Sequence, residues 1–168
     1  MIAGYMAALA LGACTDNPFT YPEPPEWEMD RIQKVANSNQ AEITAGNLAS
    51  GRADSAVVRD FGTHMVMDHT DAQNKLINVT AQLNRIVSPK LDSAHQAQIA
   101  YLKTLHGRAF DSAYIHTQVK DHQDAINLLQ NIIQNSSTEG LRNYAQQTLP
   151  VVQMHYQRAD SIAMHVFP

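Results

Sequence analysis

The stretch from Val58 to Ile86 constrains this chain more than any other. Val58, Phe61, Met65, His69, Ala72, Leu76, Val79, Leu83 and Ile86 follow one another in steps of 3, 4, 4, 3, 4, 3, 4 and 3. That alternation keeps a stripe on one side of a helix with 3.6 residues per turn, the seam of a packed bundle, whereas a strand repeats every second residue. The spacing predicts a helix over 54–86, with Asp54 as its N-cap and Ser88-Pro89 behind its end. Such a helix needs partner helices to cover its stripe.

The partners are legible by the same criterion. A helix over 27–49 carries Ile32, Val35, Asn39, Glu42/Ile43, Gly46 and Ala49, with Gly51 as a stop signal. A helix over 109–135 carries Ile115, Val119, His122, Ile126, Leu129 and Ile133, with a neighbouring stripe through Phe110, Tyr114, Asp121 and Ile132. The last, over 138–165, carries Leu141, Tyr144/Ala145, Thr148, Val152, His155, Ala159 and Ile162, and Pro150 is expected to kink it. A shorter helix over 92–105 sits in the connection between the second and third long helices. Two helical hairpins joined by a connection of about 22 residues make an all-α, ferritin-like four-helix bundle with one long crossover containing a short extra helix. A plain up-down bundle with an added helix is the alternative.

The bundle is expected over 27–168, and what precedes it reads differently. Residues 1–13 are apolar and small and too few to span a bilayer; they read as a secretory signal. Leu11-Gly12-Ala13-Cys14 resembles a bacterial lipoprotein box, which makes Cys14, the only cysteine, a lipidation site and a membrane tether. A basic segment ahead of the apolar run is missing, which points to a start codon upstream. Residues 14–26 contain Pro18, Pro22, Pro24 and Pro25 and read as an extended spacer. The expected location is the bacterial cell envelope, periplasm or outer membrane, lipid-anchored. A net charge of −4 without a basic cluster argues against nucleic acid as a partner.

Eight histidines is a high count, and three of them occupy stripe positions on three different helices: His69, His122 and His155. His122 lies about 15 residues before the turn joining the last two helices and His155 about 17 after it, so their levels differ by roughly 3 Å at about 1.5 Å per residue. Glu42 and His69 lie about 10 and 17 residues from their own turn, roughly 10 Å apart in level, which ranks Glu42 below the histidines. His64 is five residues from His69 and points elsewhere. The two hairpins cannot be levelled against each other, because the crossover is not rigid. A repeat adds weight to two of the histidines. Residues 66–76, VMDHTDAQNKL, align without gaps on 119–129, VKDHQDAINLL, with seven of eleven positions identical. The shared Val-x-Asp-His-x-Asp-Ala-x-Asn points to a common role for Asp68-His69 and Asp121-His122. Neutral imidazole ligates metals, and a neighbouring carboxylate can ligate or hold the ring's tautomer. An Asp-His hydrogen-bond network that only ties helices together is the competing reading.

Other chemistries lack their residues. A di-iron ferritin site needs about four carboxylates and two Glu-x-x-His pairs. The chain has no Glu-x-x-His, and its one Asp-x-x-His, Asp92 to His95, lies in the crossover. A His-rich set with His69, His122, His155, Asp68, Asp121 and, more weakly, Glu42 suits a single Zn, Cu, Ni or Fe ion better. Neither a nucleophile elbow nor a Gly-rich phosphate loop is present.

The strings 61–69 (FGTHMVMDH), 107–114 (GRAFDSAY), 119–122 (VKDH) and 149–155 (LPVVQMH), with Asn37-x-x-Gln40-Ala41-Glu42-Ile43 ahead of them, resemble a bacterial envelope family catalogued as a domain of unknown function. Its members are often labelled "predicted outer membrane protein". The resemblance covers about residues 28–163. It implies a ferritin-like bundle in the cell envelope and no established activity. The family's motif positions transfer to Glu42, Asp68, His69, Asp111, Tyr114, Asp121, His122 and His155, with Tyr114 and Asp111 expected beside the site rather than in it. Three functions compete: a metal-binding envelope protein, a non-enzymatic structural or interaction module, and, more weakly, an oxidoreductase with Tyr114 near a redox metal.

Overall fold

The computed structural model describes residues 23–167; the signal segment, Cys14 and most of the Pro-rich spacer lie outside the described residues. Five helices follow in order: α1 Glu26–Arg52, α2 Ala56–Gln82, α3 Ser93–Thr104, α4 Gly107–Asn135 and α5 Glu139–Val166. The spacer ends earlier than 26, since Pro25 is the N-cap of α1, where its missing N–H costs nothing and its fixed φ suits the chain. Pro150, expected to kink the last helix, lies inside a continuous α5.

Side chains at the helix ends fix how the hairpins lie. The Asp111 carboxylate on α4 accepts the backbone N–H groups of Asp54 (3.2 Å) and Ser55 (2.7 Å) at the start of α2. The α2 N-cap is Ser55, not Asp54, and no capping bond comes from its own side chain, because α4 supplies the acceptor. α2 and α4 therefore start at the same end and run parallel. At the opposite end Glu28 of α1 bonds Ser136, Ser137 and Thr138 ahead of α5. The result is the two-hairpin arrangement with one long crossover.

Two local features depart from expectation. α2 stops at Gln82 rather than near 86 because Asn84 adopts φ 54°. The Arg85 N–H then reaches the Thr80 carbonyl (2.9 Å) and the Asn84 N–H the Ala81 carbonyl (3.0 Å), the Schellman closure of a helix end. Ile86, the last member of the predicted stripe, is 93% exposed. α1 runs past Gly51 to Arg52, so that glycine stops nothing. Gly46 and Gly62 are where α1 and α2 approach most tightly: a Cβ on Gly46 would lie 2.8 Å from the Gly62 carbonyl oxygen, and one on Gly62 2.8 Å from the Ala49 Cβ.

The core falls into two apolar clusters. One contains Phe61, Met65, Phe110, Tyr114, Ile115 and Ile162; the other contains Ile32, Val35, Leu76, Ile126, Leu129 and Val152. Residues 69, 122 and 155 fall between them along α2, α4 and α5. Among the described residues no helix is long and apolar enough to cross a membrane.

Candidate metal centre

The stripe positions predicted for His69, His122 and His155 bring the three rings together in the layer between the two apolar clusters. Ring centroids are 5.5 Å apart for His69–His122 and 5.4 Å for each of the other two pairs. One ring nitrogen from each lies within 4.8 Å of the others, and the residues are 4%, 1% and 2% exposed.

Each ring has one nitrogen tied to an acceptor. His69 Nδ1 pairs with Asn39 Oδ1 (3.1 Å), His122 Nδ1 with the Gln118 carbonyl (2.9 Å) and His155 Nε2 with Asp68 Oδ2 (2.8 Å). Asn39 Nδ2 donates to the Tyr144 hydroxyl at 3.4 Å, with Oδ1 turned to His69. Only oxygens that accept face these nitrogens, so each must be the N–H of its ring. The remaining nitrogens, His69 Nε2, His122 Nε2 and His155 Nδ1, then carry lone pairs, and all three are buried without a hydrogen-bond partner. Burial and the neighbouring His122 and His155 hold His69 well below the usual histidine range. Burial and His155 bring His122 down to about 3 against the pull of its bond to Gln118. Burial lowers His155 too, although Asp68 opposes it. All three are neutral near pH 7, the state in which imidazole ligates.

The predicted carboxylates divide. Asp68, 36% exposed at its side chain, orients His155. Asp121 does not join the layer: its Oδ2 accepts from Gln98 Nε2 of α3 at 2.7 Å. The repeat thus brings its two histidines together but not its two aspartates. Adjacent helix positions point about 100° apart, and what fills that direction differs: α5 beside Asp68, α3 beside Asp121. Glu42 is buried, but against His122 rather than His69, with Oε1 at 3.9 Å from the His122 Nδ1 that already bonds Gln118. α1 meets α4 across the bundle, so the neighbour of Glu42 lies in the other hairpin, and Glu42 is not among the three residues whose nitrogens converge. Burial and Asp121 push the Glu42 carboxyl up to about 8. With His122 neutral, the two make a neutral pair rather than a salt bridge.

Tyr114 is fully buried against Phe61, and burial together with Glu42 pushes its hydroxyl well above the usual range. Phe61 packs edge-on against both Tyr114 (6.2 Å) and His155 (6.5 Å). Asp111 lies away from the histidines as the cap of α2. His64 is exposed and bonds the Asp60 carbonyl, as its five-residue offset predicts. Sequence reasoning missed Asn39 as the partner of His69, although a polar residue on a buried stripe was its signal. It also missed the Gln118 carbonyl, which no side-chain pattern reveals.

A family model described as "Domain of unknown function (DUF4142)" matches residues 22–162, and the chain belongs to that family. Among curated proteins none matches the chain. Similar solved structures include a DUF305 fragment from Deinococcus radiodurans, with TM-score 0.72 and 12% identity, covering 86% of this chain and 100% of that one. CopM in a silver-bound form has TM-score 0.69 and 13% identity, covering 84% and 98%. The bacterioferritin-related protein of Bacteroides fragilis, a dodecameric thioferritin, has TM-score 0.60 and 17% identity, covering 83% and 87%. At these identities the likeness establishes the fold.

Proposed function

We propose that this member of the DUF4142 family is a metal-binding protein of the bacterial cell envelope that holds one transition-metal ion, Zn, Cu, Ni or Fe, on His69, His122 and His155. The observation that carries this is the division of labour within each ring: one nitrogen donates to an oxygen, the other is buried with an unpartnered lone pair, and the three rings stand close enough for one nitrogen of each to share an ion. Metal-ligating histidines are oriented by this kind of outer partner. A layer that only tied helices together would explain the Asp68–His155 bond but would leave three polar nitrogens buried for nothing, at about 1–3 kcal/mol each. Bound there, an ion would supply a Lewis-acidic or redox-capable centre. Asn39, Gln118 and Asp68 hold the rings, while the apolar clusters on either side exclude water.

Envelope location and lipid attachment through Cys14 rest on the apolar leader and its Leu-Gly-Ala-Cys ending. Loss of membrane fractionation in a Cys14→Ser variant checks them.

The metal reading is tested by melting purified, untagged protein with Zn, Cu, Ni and Fe, and with silver because a structural neighbour carries it. An ion bound to the native state alone stabilises by about 2.7 kcal/mol at a hundredfold excess over Kd. For a domain of this size that raises the melting temperature by roughly 5–10 °C. A melting curve unmoved by every ion would end the proposal.

A further inference from the structure

The triad is buried, so the way an ion reaches it is a property of the surrounding residues. Among the described residues, two clefts that touch the histidines can be compared. One, about 20 Å3, reaches His69 alone and is walled largely by Val35, Ala125, Leu128, Leu129 and Val152. The other, about 70 Å3, lies between α2 and α5, touches both His69 and His155, and is lined also by Asp68, Asp71, Lys75 and Val151. A cation crossing the first would meet only the neutral Ser38, Asn39 and Thr148 side chains, none of which offsets its charge as it sheds its water. Along the second, carboxylate oxygens stand in for water step by step. Asp71 and Lys75 pair at 2.7 Å at its mouth, with side chains 65% and 55% exposed. Asp68 sits deeper: it is partly open to solvent, and its Oδ2 is already on His155 Nε2.

We infer that the α2/α5 cleft is the route by which a cation reaches and leaves the histidine triad, with the Asp68 carboxylate as the handover group between solvent and His155. The inference rests on the metal-site reading and adds to it a direction, a gate and a sign. Asp68 attracts a cation toward the ring it orients. Lys75, one helical turn outward from Asp71, neutralises that aspartate and repels an approaching cation. The same bundle face therefore carries one group that speeds loading and one that slows it. Long-range attraction and repulsion of this kind act on rates and fade as salt screens them.

The experiment separates route from site. Equilibrium binding of Zn2+, Cu2+ and Ag+ to the wild-type chain is measured first by chelator competition, and an ion that binds is then followed through loading and chelator-driven release by stopped flow. Val151 is 37% exposed at the cleft wall, so Val151→Trp fills the passage without entering the core. It is expected to slow loading and release alike, by about tenfold, with Kd within about twofold, since both directions cross the same constriction. Ile77→Trp, an exposed position on α2 away from the cleft, is expected to change neither rate. Lys75→Gln is expected to speed loading by about threefold at low salt and to lose the effect at high salt; Asp68→Asn slows it by a similar factor. Val151→Trp loading and releasing as fast as wild type, or a change of Kd through release alone, overturns the route while leaving the metal site standing. A Lys75→Gln protein with an unchanged low-salt rate overturns it as well. If none of these three ions, nor Ni2+ or Fe2+ measured in the same way, binds the wild-type chain, the metal reading fails and the route fails with it.

Discussion

Two buried polar clusters sit in this bundle, and they are built to opposite rules. At one end Glu28, 2% exposed, accepts four hydrogen bonds, from the Ser136, Ser137 and Thr138 hydroxyls and the Ser137 N–H. Burial alone would raise its carboxyl; the bonds led by Thr138 outweigh burial and hold it below the usual range. Between the two apolar clusters each histidine has one nitrogen bonded to an oxygen, and the other three nitrogens are buried unpartnered. The first cluster is closed on itself and joins α1 to the start of α5. The second is not closed by the residues around it. The difference lies in the partners of each group and not in its burial: both clusters are buried, and one of them leaves polar atoms unmatched.

The largest effect that can break this comparison is Glu28→Ala. It strips the acceptor from four donors and is expected to destabilise the fold by about 3 kcal/mol, read from urea unfolding. His122→Leu should do the reverse of what burial suggests. In metal-free protein it is expected to leave stability within about 1 kcal/mol of wild type, since it removes an unpartnered nitrogen, while abolishing any metal-dependent rise in melting temperature. Asn39→Leu, which releases His69, is expected to weaken metal affinity by about 10- to 100-fold while the apo fold persists, checked by chelator competition.

Acid distinguishes the clusters by pH window. The histidines are held below 6.5 in the fold, His122 down to about 3, so as pH falls below 6.5 the unfolded chain takes up protons that the fold refuses. Metal-free stability should drop from there downward, less steeply in His122→Leu. Glu28 is held below 4.5, so its contribution is complete above 4.5 and is lost only as pH falls through its lower folded value. Glu28→Gln should flatten the acid limb below 4.5 and leave the histidine window unchanged in urea titrations across pH. The smallest effect is Asp121→Asn. Because Asp121 bonds Gln98 and not the triad, metal affinity should stay within about twofold of wild type, in contrast to Asp68→Asn.

What could be read from residues alone follows the reach of each signal. The stripes on α2, α4 and α5 placed all three histidines on inward faces, because helical periodicity is local. The levelling of His122 against His155 worked because the turn between α4 and α5 is short. For Glu42 it gave a lower rank, and Glu42 stands outside the converging nitrogens, against His122 of the other hairpin. The register between hairpins is set by Asp111 on the start of α2 and Glu28 on the start of α5, contacts between residues far apart in the chain. The early end of α2 turns on the left-handed backbone at Asn84, a stop that the apolar spacing to Ile86 does not reveal. The repeat was half informative: a histidine on a stripe faces the core wherever the helix sits, while the aspartate before it meets whichever helix is adjacent.

The central claim is that the unpartnered nitrogens are ligands. Its most direct test is the metal content of untagged protein purified from its native compartment, wild type beside His122→Leu. The account predicts one transition-metal ion per chain in the wild type and none in the variant, with both proteins folded. A wild-type protein that carries no metal, and takes up none when it is supplied, would contradict it.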